Sequence, residues 1–501
     1  MSINDKKIKV TVNGTPKVVD AGLALSEIVK GEKPCGGHGK CGKCKVIAKG
    51  ELSAPDSAEL KHLSSDELGR GVRLACLAHA LGDCEVYEMS NTASAQIMTE
   101  GAVVDFELAP SFSQYGVAID IGTTTIAAHL YDTSGNILAK TACLNPQSEW
   151  GADVISRIEA ALGGKAGLLA GAIRDALDKI ISELADNAVI GTQEIDGAVV
   201  TGNTVMLHLL TEESVEPLSH APFEATRLFG ETLSASQLSL SCLCPDTPVY
   251  LPPCISAFVG ADITCAIIAT SLCNGDTAIL ADIGTNGEMA MWNGNELSVC
   301  STAAGPAFEG VGISMGMRGS EGAIDKVNLI NGETYAHVIG DKEAKGICGS
   351  GLVDAIACLL DTEEIDESGF MEDDPCVIES PVSLTQEDVR MVQLAKSAIC
   401  AGMLTLADMG GLSVSDIGAA YIAGGFGNYL NMANAEKIGL LPRGFADKAK
   451  SVGNAALGGA SMMLLGEGFK AEAAELAKKA AVLELSTNKK FSELYINGMF
   501  F

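Results

Sequence analysis

Four cysteines are spaced to hold an inorganic centre. Cys35, Cys41 and Cys44 are separated by five and two residues, and Cys76 follows after 31 more. The ligands of a small iron–sulfur cluster must converge within a few ångströms, so the chain supplying them has to wrap round it. Gly36, Gly37 and Gly39 lie in the first gap, where backbone free to take φ > 0 can bring N–H groups up to the sulfides. A tetrahedral zinc site could use the same four thiolates. Zinc motifs, however, come as two short pairs, whereas three grouped cysteines and one distant one give the 2Fe–2S spacing. Cys84 is a rival fourth ligand, but its setting reads as a last strand, so a buried thiol is expected there. His38 lies inside the loop. A Rieske centre would need two histidines, so His38 is read as a loop residue.

A second constellation suits phosphate chemistry. Asp-Ile-Gly-Thr occurs at Asp120–Thr123 and again at Asp282–Thr285, 162 residues apart. Each copy closes an apolar strand with an aspartate, turns on glycine and continues into another strand. Thr123, Thr124 and Thr125 in the first turn, and Gly284, Thr285 and Asn286 in the second, offer N–H groups and hydroxyls to phosphate oxygens. Asp120 and Asp282 can hold Mg²⁺ through water and orient an attacking water, which makes them the catalytic candidates. One such turn is common; two at this distance predict a duplicated α/β unit clamping a phosphate tail from both sides. Gly424 and Gly425, in residues 420–428, leave backbone bare for an adenosine to lie against. Gly349 and Ser350 open a helix in residues 346–354, which suits an anion at its N-terminus or serves as a plain cap. Asp262, the one charge in residues 258–263, is read as a helix N-cap in preference to a catalytic carboxylate. No Gly-x4-Gly-Lys-Ser/Thr occurs, so a P-loop is excluded.

Simple elements position these groups. Residues 8–13 alternate apolar and polar, Gly14 breaks the run and Val18 and Val19 resume it, which predicts a hairpin. Residues 23–29 fit a short helix. Leu169, Ile173, Leu177, Ile180 and Leu184 step along one helix face, as do Val392, Ile399, Met403 and Leu406. Residues 91–113 read as a connector, with 104–108 alternating as a strand would. With 34 Lys and Arg against 64 Asp and Glu, the net charge of −30 argues against nucleic acid and against anionic membranes. Residues 255–273 are long enough to ask about a span, but Gly260, Asp262 and Thr264 predict a buried segment. Residues 1–9 carry Asp5, Lys6, Lys7 and Lys9 with no apolar run after them, so no export signal is expected. A cytoplasmic location follows, with the twelve remaining cysteines of 16 as reduced thiols.

Residues 5–90 resemble the plant-type and vertebrate-type ferredoxins, and the five-residue first gap is closer to the latter. That resemblance implies an α+β domain of the ferredoxin (β-grasp) kind over 1–90, with the cluster on Cys35, Cys41, Cys44 and Cys76. The duplication resembles the actin, sugar-kinase and heat-shock ATPase superfamily. It implies an α/β duplicated, RNase H-like ATPase domain over 114–501, with halves near 114–275 and 276–501, that binds ATP and Mg²⁺. In that scheme 198–204 is the first connecting element, 420–428 the adenosine loop and 453–460 the second connecting helix.

The two domains in one chain, with residues 145–158, 304–310 and 316–324, resemble the reductive activators of corrinoid-dependent enzymes. The resemblance implies an ATP-hydrolysing enzyme that passes one electron from its 2Fe–2S cluster to an inactive Co(II) corrinoid protein, restoring Co(I). Its partners would be the corrinoid protein of a methyltransferase system, such as an anaerobe's O-demethylase, and an external low-potential electron donor. A homodimer is compatible with this reading. Unlike the family's longer members, the chain has a short linker and no obvious separate middle domain. Two other classes stay open: an ATP-switched binding or chaperone module, and a small-molecule kinase, either with a structural or regulatory iron–sulfur domain. No kinase-specific substrate motif is visible.

Overall fold

Alternation sets the first strands. β1 (Lys7–Val12) turns Ile8, Val10 and Val12 inward and pairs antiparallel with β2 (Thr15–Asp20). Asn13 and Gly14 between them have φ of 47° and 81°, the two-residue turn that Asn-Gly favours. The computed structural model describes residues 6–29, 44–63, 65–88, 106–151, 153–425 and 429–501. Its contacts divide the chain into two compact units, 1–94 and 95–501.

In the first unit, β3 (Lys45–Leu52), β4 (Val72–Leu74) and β5 (Ala80–Glu88) complete a five-stranded sheet of order β2-β1-β5-β3-β4. β5 lies parallel to β1, and the other pairings are antiparallel. Three short helices, α1 (Leu25–Ile28), α2 (Glu59–His62) and α3 (Ser65–Gly69), accompany it. Leu25 and Ile28 of α1 pack with Val10, Val46 and Val86. Cys84 is a buried residue of β5, as expected, and burial pushes its thiol up. Arg73 grips the buried Glu59 with two bonds of 2.7 and 3.0 Å, and Glu59 also accepts from the Leu74 N–H at 2.9 Å. A buried pair with both partners satisfied fixes the end of β4 in place.

The second unit repeats one topology. Its first half runs β6 (Tyr115–Ile121), β7 (Thr125–Asp132), β8 (Ile137–Leu144), α4 (Val154–Ala160), α5 (Ala166–Ala188), β9 (Ile195–Gly202), α6 (Thr204–Thr211), β10 (Glu231–Ser234), β11 (Pro248–Leu251) and α7 (Ala261–Thr270). The second half opens with β12 (Ala278–Ile283), β13 (Gly287–Trp292) and β14 (Leu297–Thr302). A smaller insert follows: β15 (Ala323–Ile330), β16 (Glu333–Val338), β17 (Gly346–Ile347), α8 (Gly349–Asp361), β18 (Cys376–Glu379) and β19 (Val382–Leu384). The half ends with α9 (Gln386–Met409), β20 (Ala419–Ala423), α10 (Met432–Lys437), β21 (Ala449–Gly453), α11 (Ala455–Leu465), α12 (Gly468–Lys479), β22 (Ala481–Val482) and α13 (Lys489–Asn497).

The two large sheets have orders β10-β11-β9-β6-β7-β8 and β21-β20-β12-β13-β14-β22. β6 is antiparallel to β7 and parallel to β9, just as β12 is antiparallel to β13 and parallel to β20. The duplicated Asp-Ile-Gly-Thr therefore marks the same bend in two copies of one sheet. Central strands β6 and β9 are buried on both faces, which explains their nearly unbroken apolar runs.

Helices α7 and α11 share the core that joins the halves, and both are apolar all round. They approach so closely that a Cβ on Gly459 would lie 1.9 Å from the Cys265 carbonyl oxygen. Only glycine fits that crossing. Residues 453–460, expected as the second connecting helix, are the end of β21, the capping Asn454 and the start of α11. Residues 198–204, expected as the first connecting element, are the end of β9 and the turn into α6. The helix that crosses α11 is α7, within the stretch 255–273, and it is buried as its Gly260, Asp262 and Thr264 predict.

The apolar stripes of α5 and α9 face the core as their spacing requires. The strand expected over 104–108 is absent from its described residues 106–108; Ala109 makes a lone bridge with Gly466, and residues 104 and 105 lie outside the described ones. Among the described residues one helix, α9, is long and apolar enough to cross a membrane, and 72% of its apolar window is buried in the fold.

Candidate nucleotide cleft and cluster cysteines

Strand register brings two of the four cysteines together. β3 and β4 pair Lys45 with Leu74, so the residue before β3 meets the second residue after β4. The Ala75 N–H donates to the Cys44 carbonyl at 2.8 Å, and the Sγ atoms of Cys44 and Cys76 stand 3.1 Å apart. That is well beyond a disulfide bond of about 2.05 Å. Two half-buried thiols not joined by a disulfide, at this separation, fit ligands converging on one centre. Cys35 and Cys41 lie outside the described residues.

The second unit holds a cavity of about 530 Å³ between the duplicated turns. Asp120, Thr123, Thr124, Thr125, Asp282, Gly284, Thr285, Asn286, Gly349, Ser350, Gly424 and Gly425 all line it. Every nucleotide residue chosen from the sequence thus faces one space. The first turn is closed by the Gly122 N–H donating to the Thr125 carbonyl at 2.9 Å, the second by Gly284 N–H to the Asn286 carbonyl at 3.1 Å. Gly424 has φ of 95°, and a Cβ there would stand 2.6 Å from the Ile283 carbonyl oxygen and 2.8 Å from Asp282 Oδ1. Bare backbone is what lets this segment reach Asp282. The N-terminus of α8 lines the cavity without a side-chain cap at its cap residue Cys348, and Ser350 Oγ in its first turn donates to the Asp325 carbonyl at 2.9 Å.

Asp262 corrects the sequence reading. The cap position of α7 belongs to Gly260, which has no side chain to bond. Asp262 sits two residues on, takes the Ile263 N–H at 2.9 Å and lines the cavity beside Asp120, Asp282 and Glu288. An apolar helix with no polar face gives no phase from which to tell a cap from the first turn. Burial pushes Asp120 up to about 6, against the lowering bond from Asn454. Burial, then the Asp120 and Asp282 charges, push Asp262 up to about 8. Burial, with Asp120 and Glu309, pushes Asp282 up to about 7. Glu288 is pushed well above the usual carboxylate range by burial and these same neighbours. Four carboxylates that resist ionising together make a place that favours a cation.

The sequence reading missed several supporting residues. Asn454 caps α11 and donates to Asp120 Oδ2 at 2.9 Å. Asn203 caps α6 and donates to Thr123 Oγ1 at 3.1 Å. Glu309 Oε2 accepts from Thr285 Oγ1 at 2.8 Å and from Thr124 Oγ1 at 3.3 Å, touching both turns at once. Arg318 is the one cationic side chain among the described residues lining the cavity.

Behind the first turn the fully buried Arg157 donates to the Thr123 carbonyl, to the Gly151 carbonyl at 2.9 Å and to Gln147 Oε1 at 3.2 Å. Burial pulls its guanidinium down to about 10. Asn145 Nδ2 donates to the Gly122 carbonyl at 2.9 Å. The described residues of 145–158 thus form the back wall of the first turn. The available signals were Glu288, six residues after Asp282, and Glu309 and Asn454, each inside a segment that had stood out.

Comparison with known proteins matches the two halves separately. Residues 115–274 match the family region described as the RACo middle region, and 276–501 that described as the C-terminal domain of RACo, the ASKHA domain. The corrinoid activation enzyme RamQ of Eubacterium limosum is 35% identical over 486 residues, 90% of this chain and 78% of that protein. The chain belongs to the reductive activators of corrinoid proteins.

A second relative of this activator is the [Co(II) methylated amine-specific corrinoid protein] reductase of Methanosarcina barkeri, 26% identical over 76% of each chain. Among solved structures, a reductive activator for corrinoid, iron–sulfur protein matches with a TM-score of 0.73 and 28% identity, covering 99% of this chain and 98% of that one. Residues 276–501 are therefore the ASKHA domain, and 115–274 repeat its sheet topology. What the family calls its middle region is, in this activator, the first of the two duplicated halves and not an added domain.

Proposed function

We propose that this activator hydrolyses ATP between the duplicated halves and uses that free energy to move one electron onto a Co(II) corrinoid protein, restoring Co(I). The observation that carries the proposal is the meeting of both Asp-Ile-Gly-Thr turns in one cavity lined by five carboxylates. In this reading Thr123, Thr124, Thr125, Thr285 and Asn286 hold the phosphates, Gly349 and Ser350 border them, and Gly424 and Gly425 carry the adenosine side. Asp120 and Asp282 hold Mg²⁺ and the attacking water, with Asp262 and Glu288 completing the carboxylate set. Mg²⁺ there would neutralise both the phosphate tail and carboxylates that otherwise repel one another.

Residues 1–90 act as a 2Fe–2S ferredoxin domain of the β-grasp class, with ligands Cys35, Cys41, Cys44 and Cys76, joined through 91–113 to the ATPase at 114–501. The cluster supplies a one-electron reservoir, filled by an external low-potential donor. The chain's own part in the coupling runs through α7 and α11. Asp262 stands at the start of α7 and the cap of α11, Asn454, holds Asp120. The two helices touch at Gly459 without slack, so closing the cleft turns one half against the other. The state that holds ATP then binds the corrinoid protein more tightly than the empty state. A net charge of −30 favours a docking patch that is locally basic or apolar, and a cytoplasmic setting with neither nucleic acid nor membrane as partner.

The test is anaerobic reconstitution with iron and sulfide, followed by ATP turnover with and without a Co(II) corrinoid protein. Two irons and two sulfides per chain, with turnover stimulated by the corrinoid protein, support the proposal. Transfer of phosphate to a metabolite would instead favour a kinase.

A further inference from the structure

We infer that Glu309 makes the cleft selective for metal-complexed nucleotide, by holding a carboxylate across the two phosphate turns where a bare phosphate tail would have to bind. The inference rests on the nucleotide reading above. Glu309 Oε2 takes hydroxyl hydrogens from Thr285 at 2.8 Å and from Thr124 at 3.3 Å, so one anion engages both halves. Those two hydroxyls are the donors a phosphate oxygen would use.

The carboxylate cannot drift away through its backbone. Glu309 ends a short turn, Ala307–Glu309, whose Phe308 is buried and whose Gly310 has φ of 77°. A Cβ on Gly310 would lie 2.6 Å from the Met317 carbonyl oxygen, and the Gly305 N–H donates to the Thr285 carbonyl at 3.0 Å. The turn is thus built onto the second phosphate turn itself.

Two consequences follow. Nucleotide without a metal meets a like charge at its own hydroxyl donors, and that juxtaposition is costly in a partly enclosed cleft. Nucleotide with Mg²⁺ brings the compensating charge, and Glu309 can then accept from water or the metal's hydration shell instead of from the threonines. Glu309 is a positioning and selectivity residue in this account. It also links the empty halves until a charge-compensated ligand releases it.

The experiment titrates the full chain with a fluorescent methylanthraniloyl ATP, once in excess Mg²⁺ and once in EDTA. The quantity read is the ratio of the two dissociation constants, which a general loss of stability does not change. Wild type is expected to bind the metal-free form at least about tenfold more weakly. Glu309→Gln keeps an acceptor but removes the charge, and its ratio should fall by about fivefold or more through tighter metal-free binding. Glu309→Ala, which also frees both hydroxyls, should shift the ratio the same way and further. A wild-type ratio retained in both variants overturns the inference while leaving nucleotide binding intact. Wild type that binds neither form overturns the nucleotide reading, and this inference with it.

Discussion

Asp262→Asn removes one of five carboxylates crowded into the cleft, and it should stabilise the nucleotide-free protein while stopping ATP hydrolysis. Burial and the charges of Asp120 and Asp282 raise Asp262 from 3.8 to about 8. A group raised in this way is held as its protonated form by the fold. Its contribution is therefore intact below about pH 4 and is lost as pH rises toward 8. At pH 7 the part of the shift already crossed, from 3.8 up to 7, corresponds to about 4 kcal/mol against the folded state, at about 1.36 kcal/mol per unit. Water in the open side of the cleft screens part of that, so the expected gain from Asn is ~2 kcal/mol.

The assay is thermal or denaturant unfolding of both proteins from pH 4 to pH 9, without Mg²⁺ or nucleotide. The variant should unfold ~3 °C higher at pH 8. The difference should shrink toward zero as pH falls to 4, and ATP turnover should drop by about a hundredfold or more. A variant less stable than wild type at pH 8, a difference independent of pH, or unchanged turnover would each refute the reasoning.

Arg157→Met leaves the Thr123 and Gly151 carbonyls and Gln147 without their buried donor, which should cost ~3 kcal/mol in denaturant unfolding. The loosened first turn should also weaken Mg-ATP binding by about tenfold in a direct titration; lost stability at unchanged affinity would make Arg157 purely structural. Gly459→Ala forces a Cβ to within 1.9 Å of the Cys265 carbonyl oxygen, so α7 and α11 must separate. Unfolding should show a loss of ~2 kcal/mol, and a wild-type unfolding curve would count against a tight crossing.

Groups whose chemistry sits in one short run were legible in the sequence. Asp120 with Thr123–Thr125, Asp282 with Gly284–Asn286, and the Gly424–Gly425 pair carry their roles in adjacent residues, and all reach the same cavity. The hairpin at Asn13-Gly14 followed from alternation broken at Gly14, and the buried Cys84 from the strand-like run around it. Residues whose meaning depends on a distant partner were not legible. Glu309 meets Thr124 across 185 positions and Asn454 meets Asp120 across 334, and nothing local marks either pairing. Arg157 reads as an ordinary helix residue until its turn is seen lying against Thr123. Asp262 was misplaced by two positions because the cap before it is a glycine, and helix starts are uncertain by about that much.

The central claim is that ATP in this cleft drives an electron from the cluster to cobalt. The direct measurement is anaerobic absorption spectroscopy of the reduced full chain mixed with a Co(II) corrinoid protein, following the Co(I) band with and without Mg-ATP. Wild type should form Co(I) only with Mg-ATP, with one electron lost from the cluster per cobalt reduced. Asp282→Asn should keep the cluster but form no Co(I), and Cys76→Ala should hydrolyse ATP without reducing cobalt. Equal Co(I) formation with and without ATP, or in either variant, would contradict the account.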